Sequence, residues 1–121
     1  MADNLNWISL GPLIETSTDF SAYSKDIGLY RAILDGVVVY IGKATELHNG
    51  GLRKRLRDYT RLSQSARNYQ AGSLMHKHKN EIIIEIILFE RDLKSIPAIE
   101  AMEKELINKM KPAWNTFDKE R

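Results

Sequence analysis

The pattern of apolar and polar positions predicts a β-hairpin near the start of the chain. Two runs rich in β-forming residues, 27–34 and 37–43, are separated by Asp35-Gly36, a dipeptide typical of a tight hairpin turn. The residues before the hairpin show weak periodicity and several Ser, Thr and Asp. We therefore expect residues 1–26 to be an irregular entry segment and residues 27–121 to form the folded domain.

The rest of the chain predicts helices around one further strand. Apolar residues recur at helical spacing, and the run IIIEIILF is typical of a strand that is buried on both faces. A final helix is expected to begin with Ser95 as its cap and to end at about Lys111, because Pro112 cannot continue it. In chain order, the elements after the hairpin are a helix over about 52–62, a polar stretch with a short helix in 63–79, a strand in 81–90 and the final helix.

This order of elements indicates the fold class. One hairpin, one later strand and the helices make an α+β domain, with a small three-stranded mixed or antiparallel sheet flanked by helices. A chain of 121 residues has room for one such core.

Charge is distributed unevenly along the chain. The formal net charge is only +2, but residues 43–79 carry nine basic and two acidic side chains, and the parts on either side are net acidic. A basic patch in a near-neutral protein suits contacts with a nucleic-acid backbone, although a solvated helix face has the same composition. The basic residues that we expect to contact nucleic acid are Arg53, Lys54, Arg57, Arg61 and Arg67.

Composition excludes several kinds of site. The chain has no cysteine, which rules out disulfides, thiolate zinc sites and cysteine nucleophiles. It has no apolar run of roughly 18 residues, so we expect no membrane-spanning helix. The absence of cysteine favours a reducing, intracellular compartment, and we expect a cytoplasmic protein. The three histidines complete no metal-binding motif and are interpreted as surface residues.

Two tyrosine-glycine tripeptides lie on the arms of the predicted hairpin. They are Gly28-Leu29-Tyr30 and Tyr40-Ile41-Gly42, and Lys43 follows the second directly. Tyrosines also pack across ordinary hairpins, so the tripeptides alone are not specific. Three further elements follow in order: a basic helix with Arg55 and Tyr59 four residues apart, a helix with Glu103, and a closing Pro112-Ala113-Trp114-Asn115.

This ordered series resembles the GIY-YIG nuclease superfamily over residues 28–115, with GLY standing for GIY. It is similar to the incision domain of the bacterial excision-repair nuclease. The additional residues 48–51 before the basic helix also make it similar to GIY-YIG restriction enzymes. The resemblance implies a GIY-YIG fold, metal-dependent cleavage of DNA phosphodiesters and one divalent cation, Mg²⁺ or Mn²⁺, as cofactor.

The resemblance also implies which residue activates the attacking water. Tyr30 or Tyr40 would help to deprotonate that water, and we favour Tyr30. A free phenol has a pKa near 10, about three units too high for a good base at neutral pH. A nearby cation such as Lys43 or Arg55 would lower the phenol pKa.

The other matching residues take roles around the phosphate. By the same resemblance, Arg55 would hold a nonbridging oxygen and oppose the negative charge that grows in the transition state. Glu103 would bind the metal ion near the leaving oxygen. Tyr59 and Asn115 would orient these groups, and Asn115 would lie behind the site or contact the phosphate.

Helical periodicity supports the placement of Arg55 and Glu103 independently. Arg55 falls on the apolar stripe of its helix, whereas its basic neighbours fall away from it. Glu103 lies near the centre of the apolar face of the last helix, with Glu100 at the edge and Glu105 on the opposite side. A carboxylate on an apolar face needs a cation or a hydrogen-bond donor. We therefore expect Glu103 to be the metal ligand, with Glu100 as the alternative.

The register of the hairpin decides whether the two tyrosines can share one site. A two-residue Asp35-Gly36 turn pairs Leu34 with Val37 and, in a regular ladder, puts Tyr30 and Tyr40 on opposite faces. A three-residue loop that ends at Gly36 sets Tyr30 opposite Tyr40 and requires a positive φ at Gly36. We predict the three-residue loop, with the tyrosines as cross-strand neighbours.

Two other classes of function would explain some, but not all, of these sequence features. A catalytically silent GIY-YIG module that binds nucleic acid would keep the basic block but would not need Glu103 on an apolar face. A protein-interaction domain would not need the basic block. DNA is the expected partner and RNA is not excluded. A partner subunit or a dimer would supply specificity, because no separate recognition domain is expected in the sequence.

Overall fold

The computed structural model describes residues 6–15, 25–47, 51–61 and 70–115. Within these residues, none of the helices is long and apolar enough to pass through a bilayer. A short 3₁₀ helix, Leu13–Glu15, follows the first strand. The strands are β1 (Ile8–Pro12), β2 (Ile27–Leu34), β3 (Val37–Ala44) and β4 (Ile83–Phe89), and the helices are α1 (Gly51–Thr60), α2 (Gln70–Lys77) and α3 (Ser95–Met110).

The four described strands form one antiparallel sheet in the order β1-β4-β2-β3. The α+β class is confirmed, and the expected three strands are corrected to four. The additional strand, β1, lies inside the segment that we expected to be irregular. It pairs with β4 from Ile8 to Pro12, and its register shifts between Ser9 and Gly11. None of its side chains is fully buried, so backbone pairing rather than an apolar pattern forms this strand.

The hairpin differs from the predicted loop. Leu34 pairs with Val37 across a two-residue turn, so the prediction of a three-residue loop is wrong. Asp35 and Gly36 have φ values of 53° and 80°, the positive angles that a type I′ turn requires. The positive φ predicted for Gly36 is therefore confirmed.

A β-bulge nevertheless puts the two tyrosines on one face of the sheet, although they are not directly opposite each other as predicted. Val39 is an additional residue on β3, because Ile33 pairs with Val38 while Ala32 pairs with Tyr40. One inserted residue reverses the alternation of side chains beyond it. Tyr30 is consequently opposite Gly42, and Tyr40 lies diagonally from it on the same face of the sheet.

The sheet is covered on both faces. One core contains the inward side chains of β4, Ile84 and Ile86, together with buried residues of α1 and α2. The other core contains Ile99 and Leu106 of α3 and the opposite side chains of the strands, including Ile87. Both faces of β4 therefore meet apolar neighbours, as its continuous apolar sequence predicts.

The ends of α3 are formed differently from each other. Lys94, not the expected Ser95, is the N-cap residue, and its side chain makes no capping hydrogen bond. Just before the helix, Oδ1 of Asp92 accepts hydrogen bonds from the Ser95 N–H at 3.0 Å and the Ser95 hydroxyl at 3.2 Å. At the other end, Lys111 adopts a left-handed conformation and donates its N–H to the Ile107 carbonyl. Pro112 follows at once, and the predicted end of the helix is confirmed.

Candidate active site

Two tyrosines of the hairpin lie side by side in the core on the α1 side of the sheet. Tyr30 and Tyr40 are each 2% exposed, and their ring centroids are 6.3 Å apart. The Tyr30 ring lies over Gly42, because a Cβ built at Gly42 would be 2.4 Å from the Tyr30 Cζ. Glycine at this position therefore leaves the space that the ring occupies.

A third tyrosine reaches this pair from α1. The hydroxyls of Tyr30 and Tyr59 are hydrogen-bonded at 2.6 Å, and the two rings pack edge to face. Leu52, Leu56 and Tyr59 are the buried side chains of one face of α1, so the apolar stripe of the helix holds Tyr59 against the sheet. His76 of α2 contacts the Tyr59 carbonyl oxygen through Nδ1 at 2.9 Å.

Burial determines the ionisation of Tyr59. Loss of solvent raises the pKa of Tyr59 well above its ordinary value, the phenols of Tyr30 and Tyr40 raise it further, and Arg55 lowers it by less. Arg55 thus lowers the pKa of Tyr59, as a neighbouring cation should, but burial outweighs this effect. Tyr59 is therefore a neutral hydroxyl at physiological pH, and it can donate its proton in the hydrogen bond to Tyr30.

Arg55 is next to this group of phenols. It lies on the same helix as Tyr59, four residues earlier, and its side chain is 36% exposed. Burial lowers the pKa of Arg55, but the electrostatic influence of Tyr30, Glu46 and Tyr59 outweighs this and raises the pKa above its ordinary value. The guanidinium carries a full charge at any physiological pH, and its Nη2 is hydrogen-bonded to Oε2 of Glu46.

Lys43 and Glu103 form a second charged group. Lys43 of β3 pairs in register with Leu29, whose side chain belongs to the α3 side of the sheet. Its Nζ lies 3.4 Å from Oε1 of Glu103 on α3. The Glu103 side chain is 18% exposed, whereas Glu100 and Glu105 are exposed residues. Of these three carboxylates, Glu103 is the one that faces the sheet, as periodicity predicts.

Asn115 lies at the outer edge of β3. Its Oδ1 accepts the Ile41 N–H and its Nδ2 donates to the Ile41 carbonyl, both at 2.9 Å. Trp114 adds a backbone bond from its N–H to the Val39 carbonyl. The amide of Asn115 thus replaces a neighbouring strand at the position between Tyr40 and Lys43. This contact fixes the backbone that carries both residues.

The basic residues of the first helix divide into two kinds. Lys54 is 53% exposed, with its Nζ 3.7 Å from Oδ2 of Asp58, and Arg61 is exposed. Arg53 and Arg57 are half-buried and their Nε atoms are inaccessible, so only part of each side chain reaches the solvent. Their aliphatic stems pack on the protein. Arg67 lies outside the described residues.

Sequence reasoning missed Glu46 and His76. Glu46 is the single acidic residue between Lys43 and Asp58. Its isolation among basic residues was the only sequence signal of its contact with the basic helix. His76 carries no comparable signal, because its contact is with a backbone carbonyl from another helix.

Few potential metal ligands lie close together in the part of the chain that the structure describes. Among the described residues, no group of three or more His, Cys, Asp or Glu side chains converges on one point. Mg²⁺ commonly keeps several waters and uses one or two carboxylates, and Mn²⁺ accepts the same oxygen ligands. The partly exposed Glu103 carboxylate, held at the sheet beside a strand end, fits a single hydrated cation of this kind.

The fold is similar to that of solved nuclease domains. The magnesium-bound GIY-YIG N-terminal endonuclease domain of UvrC from Thermotoga maritima superposes with a TM-score of 0.58 at 23% identity, over 84% of this chain and 96% of that one. A point mutant of the same domain, with one tyrosine replaced by phenylalanine, gives 0.54 at 22% identity over 84% and 96%. No family model matches the sequence, and the search of curated proteins finds no match. The chain therefore has a GIY-YIG-like fold.

Proposed function

We propose that this chain, which has a GIY-YIG-like fold, is a metal-dependent endonuclease that hydrolyses DNA phosphodiester bonds. The observation that carries the proposal is that the edge strand β3 contributes a residue to each of two groups, the phenols with Arg55 and the pair of Lys43 with Glu103. Tyr40 and Lys43 leave β3 within four residues of each other, one towards the phenols and Arg55, the other towards Glu103. A base, a phosphate clamp and a metal ligand are the groups that such a hydrolysis requires.

The phenols supply the base. In the hydrogen bond between Tyr30 and Tyr59, the raised pKa of Tyr59 means that Tyr59 keeps its proton and can serve as the donor. Its hydroxyl stabilises Tyr30 as a phenolate, and the charge of Arg55 favours the same form. The Tyr30 phenolate then takes a proton from the water whose oxygen attacks phosphorus. These assignments make Tyr30 the base and Tyr59 the hydrogen-bond donor that orients it. Tyr40 packs beside Tyr30.

Arg55 and Glu103 act on the phosphate from the two sides of β3. The Arg55 guanidinium donates to a nonbridging oxygen and opposes the charge that develops as the water attacks. Glu103 would hold the divalent cation, Mg²⁺ or Mn²⁺. When bound, the cation supplies Lewis-acid stabilisation of the leaving oxygen. Lys43, whose Nζ lies 3.4 Å from Oε1 of Glu103, orients that carboxylate.

DNA is the proposed substrate, and the exposed basic residues support it. Lys54 lies on the helix that carries Arg55, and Arg61 directly follows that helix, so a nucleic-acid backbone bound by both would pass close to Arg55. A partner subunit or a dimer is proposed as the source of sequence or structure specificity. RNA is distinguished from DNA by the assay below.

A plasmid nicking assay tests the proposed function. Supercoiled DNA is expected to become nicked and then linear with Mg²⁺ or Mn²⁺ and to remain intact with EDTA. An end-labelled RNA of the same sequence in a parallel reaction identifies the preferred nucleic acid. Binding of the plasmid without cleavage in either metal would favour the catalytically silent module and contradict the nuclease.

The affinity for DNA is expected to depend steeply on salt. Contacts with a handful of phosphates predict a log–log slope of about −3 to −6 between affinity and salt concentration. Replacing Lys54 and Arg61 together by glutamate is expected to flatten the slope by about 2, because both side chains are exposed on α1 or directly after it.

The control for this measurement comes from another helix. Lys104 and Lys109 are exposed on α3, and the same double replacement there changes the net charge equally. The control should leave the slope within about half a unit of wild type. A slope near zero for the wild type, or equal flattening by both double variants, would remove the electrostatic argument.

A further inference from the structure

The contact between Arg55 and Glu46 has no role in the hydrolysis described above. Glu46 follows β3 and reaches the guanidinium that the proposed mechanism assigns to the phosphate. The two side chains form an ion pair through Nη2 and Oε2 and are 36% and 43% exposed. A carboxylate and a phosphodiester use the same donors of an arginine, so both cannot occupy them fully at once.

The segment that carries Glu46 is anchored. Arg91, beyond β4, donates from Nη2 to the Leu47 carbonyl at 2.9 Å, and the Leu47 side chain packs against the core on the α3 side. The backbone next to Glu46 is thereby fixed within reach of Arg55. Its carboxylate remains at the surface, where it can exchange its contact for water.

We propose that Glu46 determines the substrate affinity of the site by occupying Arg55 in place of the phosphodiester in the free protein. The incoming phosphate displaces the carboxylate and takes over the guanidinium. This inference rests on the proposed function, because it concerns the same arginine. It adds a residue that sets how tightly nucleic acid is bound without contacting the reacting atoms.

The surroundings of Arg55 favour competition over positioning. The buried part of its side chain lies beside Tyr30 and Tyr59, and the helix itself directs its stem. An ion pair with this much exposure contributes little to holding a side chain in place, and a phosphate can displace it. Removing the Glu46 charge is therefore expected to tighten binding by about two- to fivefold, the range that exposed ion pairs span.

A double-mutant cycle on DNA affinity tests this inference. The dissociation constant for a short duplex is measured in EDTA, so that no cleavage takes place. Glu46→Gln is expected to bind about two- to fivefold tighter than wild type. In an Arg55→Ala background the same substitution should change affinity by less than about 1.5-fold. Glu81→Gln removes another exposed carboxylate, one that is hydrogen-bonded to His78, and should leave affinity unchanged.

Whether Glu46→Gln changes KM or kcat shows whether Glu46 competes with the phosphate for Arg55 or positions Arg55. With Mg²⁺, Glu46→Gln should lower KM by the same factor as the dissociation constant and leave kcat unchanged. A lower kcat with unchanged affinity would mean that Glu46 positions Arg55, and would overturn the inference. Equal tightening in the Arg55→Ala background, or by Glu81→Gln, would do the same, because the effect would then be one of general charge.

The same data separate this inference from the proposed function. A wild-type protein that binds the duplex but never nicks DNA contradicts the nuclease, while the affinity cycle still decides the role of Glu46. A wild-type protein that cleaves DNA, with no change on Glu46→Gln, contradicts only the competition.

Discussion

Arg55→Ala is expected to lower the rate of DNA cleavage by at least about a hundredfold, the loss that follows removal of one donor to a developing oxyanion. The guanidinium is placed between the buried phenols and the surface and carries a full charge at any physiological pH. In the proposed mechanism, its removal takes away both the clamp on the phosphate and the charge that favours the Tyr30 phenolate. The measurement is the single-turnover rate of plasmid nicking with Mg²⁺ at saturating protein.

Controls for Arg55→Ala come from the same helix. Lys54→Ala removes an equal charge one position away on an exposed side chain, and it should weaken binding without lowering the saturated rate. Thermal unfolding should shift little for either variant, because both ion pairs are at the surface. Arg55→Lys should recover only part of the rate, since an ammonium lacks the planar pair of donors. A folded Arg55→Ala protein that cuts at the wild-type rate would show that the clamp is elsewhere.

Periodicity predicted from the sequence which helix faces meet the sheet. On α1 the apolar stripe buries Leu52, Leu56 and Tyr59, and Arg55 lies beside the phenols as that stripe predicts. On α3 the same reasoning separated Glu103 from its exposed neighbours. The positions of Arg55 and Glu103 could be predicted because a helix repeats with a fixed period. Sequence spacing alone therefore gives the direction of a side chain on a helix.

Pairings between strands were harder to predict. The short strand β1 has no buried side chain and could be recognised only from its bonds to β4. The bulge at Val39 has no sequence signature, yet it sets Tyr30 and Tyr40 on one face despite the two-residue turn. The expectation of a shared face was right, but the loop from which it was argued was wrong. The two-residue turn and the bulge have opposite effects on the face to which later side chains point. The spacing of the tyrosines in the sequence depends only on the combined effect, so it cannot reveal either feature separately.

Contacts between distant parts of the candidate site could not be predicted without the fold either. Asn115 binds both peptide groups of Ile41 from a distance of 74 residues, and Glu46 meets Arg55 across the segment between β3 and α1. Neither contact follows a periodic rule. The side chain of Asn115 was expected to orient the site, and the structure places it on the backbone of β3 between Tyr40 and Lys43.

Glu103→Gln is expected to lower the Mg²⁺-supported cleavage rate by at least about a thousandfold, because a metal acting as Lewis acid stabilises the transition state by several kcal/mol. Glutamine keeps the size of the side chain but replaces the anionic ligand by a neutral amide, which holds a hard divalent cation poorly. Among the described residues, Glu103 belongs to no group of three or more His, Cys, Asp or Glu side chains that could hold the ion without it. Raising the Mg²⁺ concentration should therefore not restore the rate.

Direct metal binding and two matched variants make this prediction specific. Mn²⁺ binding, followed by electron paramagnetic resonance, should be lost in Glu103→Gln while the unfolding temperature changes little, because the 3.4 Å pair with Lys43 is partly exposed. Glu100→Gln and Glu105→Gln remove equal charges from exposed positions of the same helix and should stay within about threefold of the wild-type rate. Loss of Mn²⁺ binding and cleavage in Glu100→Gln, with Glu103→Gln unaffected, would move the metal ligand one turn along α3. Undiminished cleavage and Mn²⁺ binding in all three variants would place the metal outside this helix altogether.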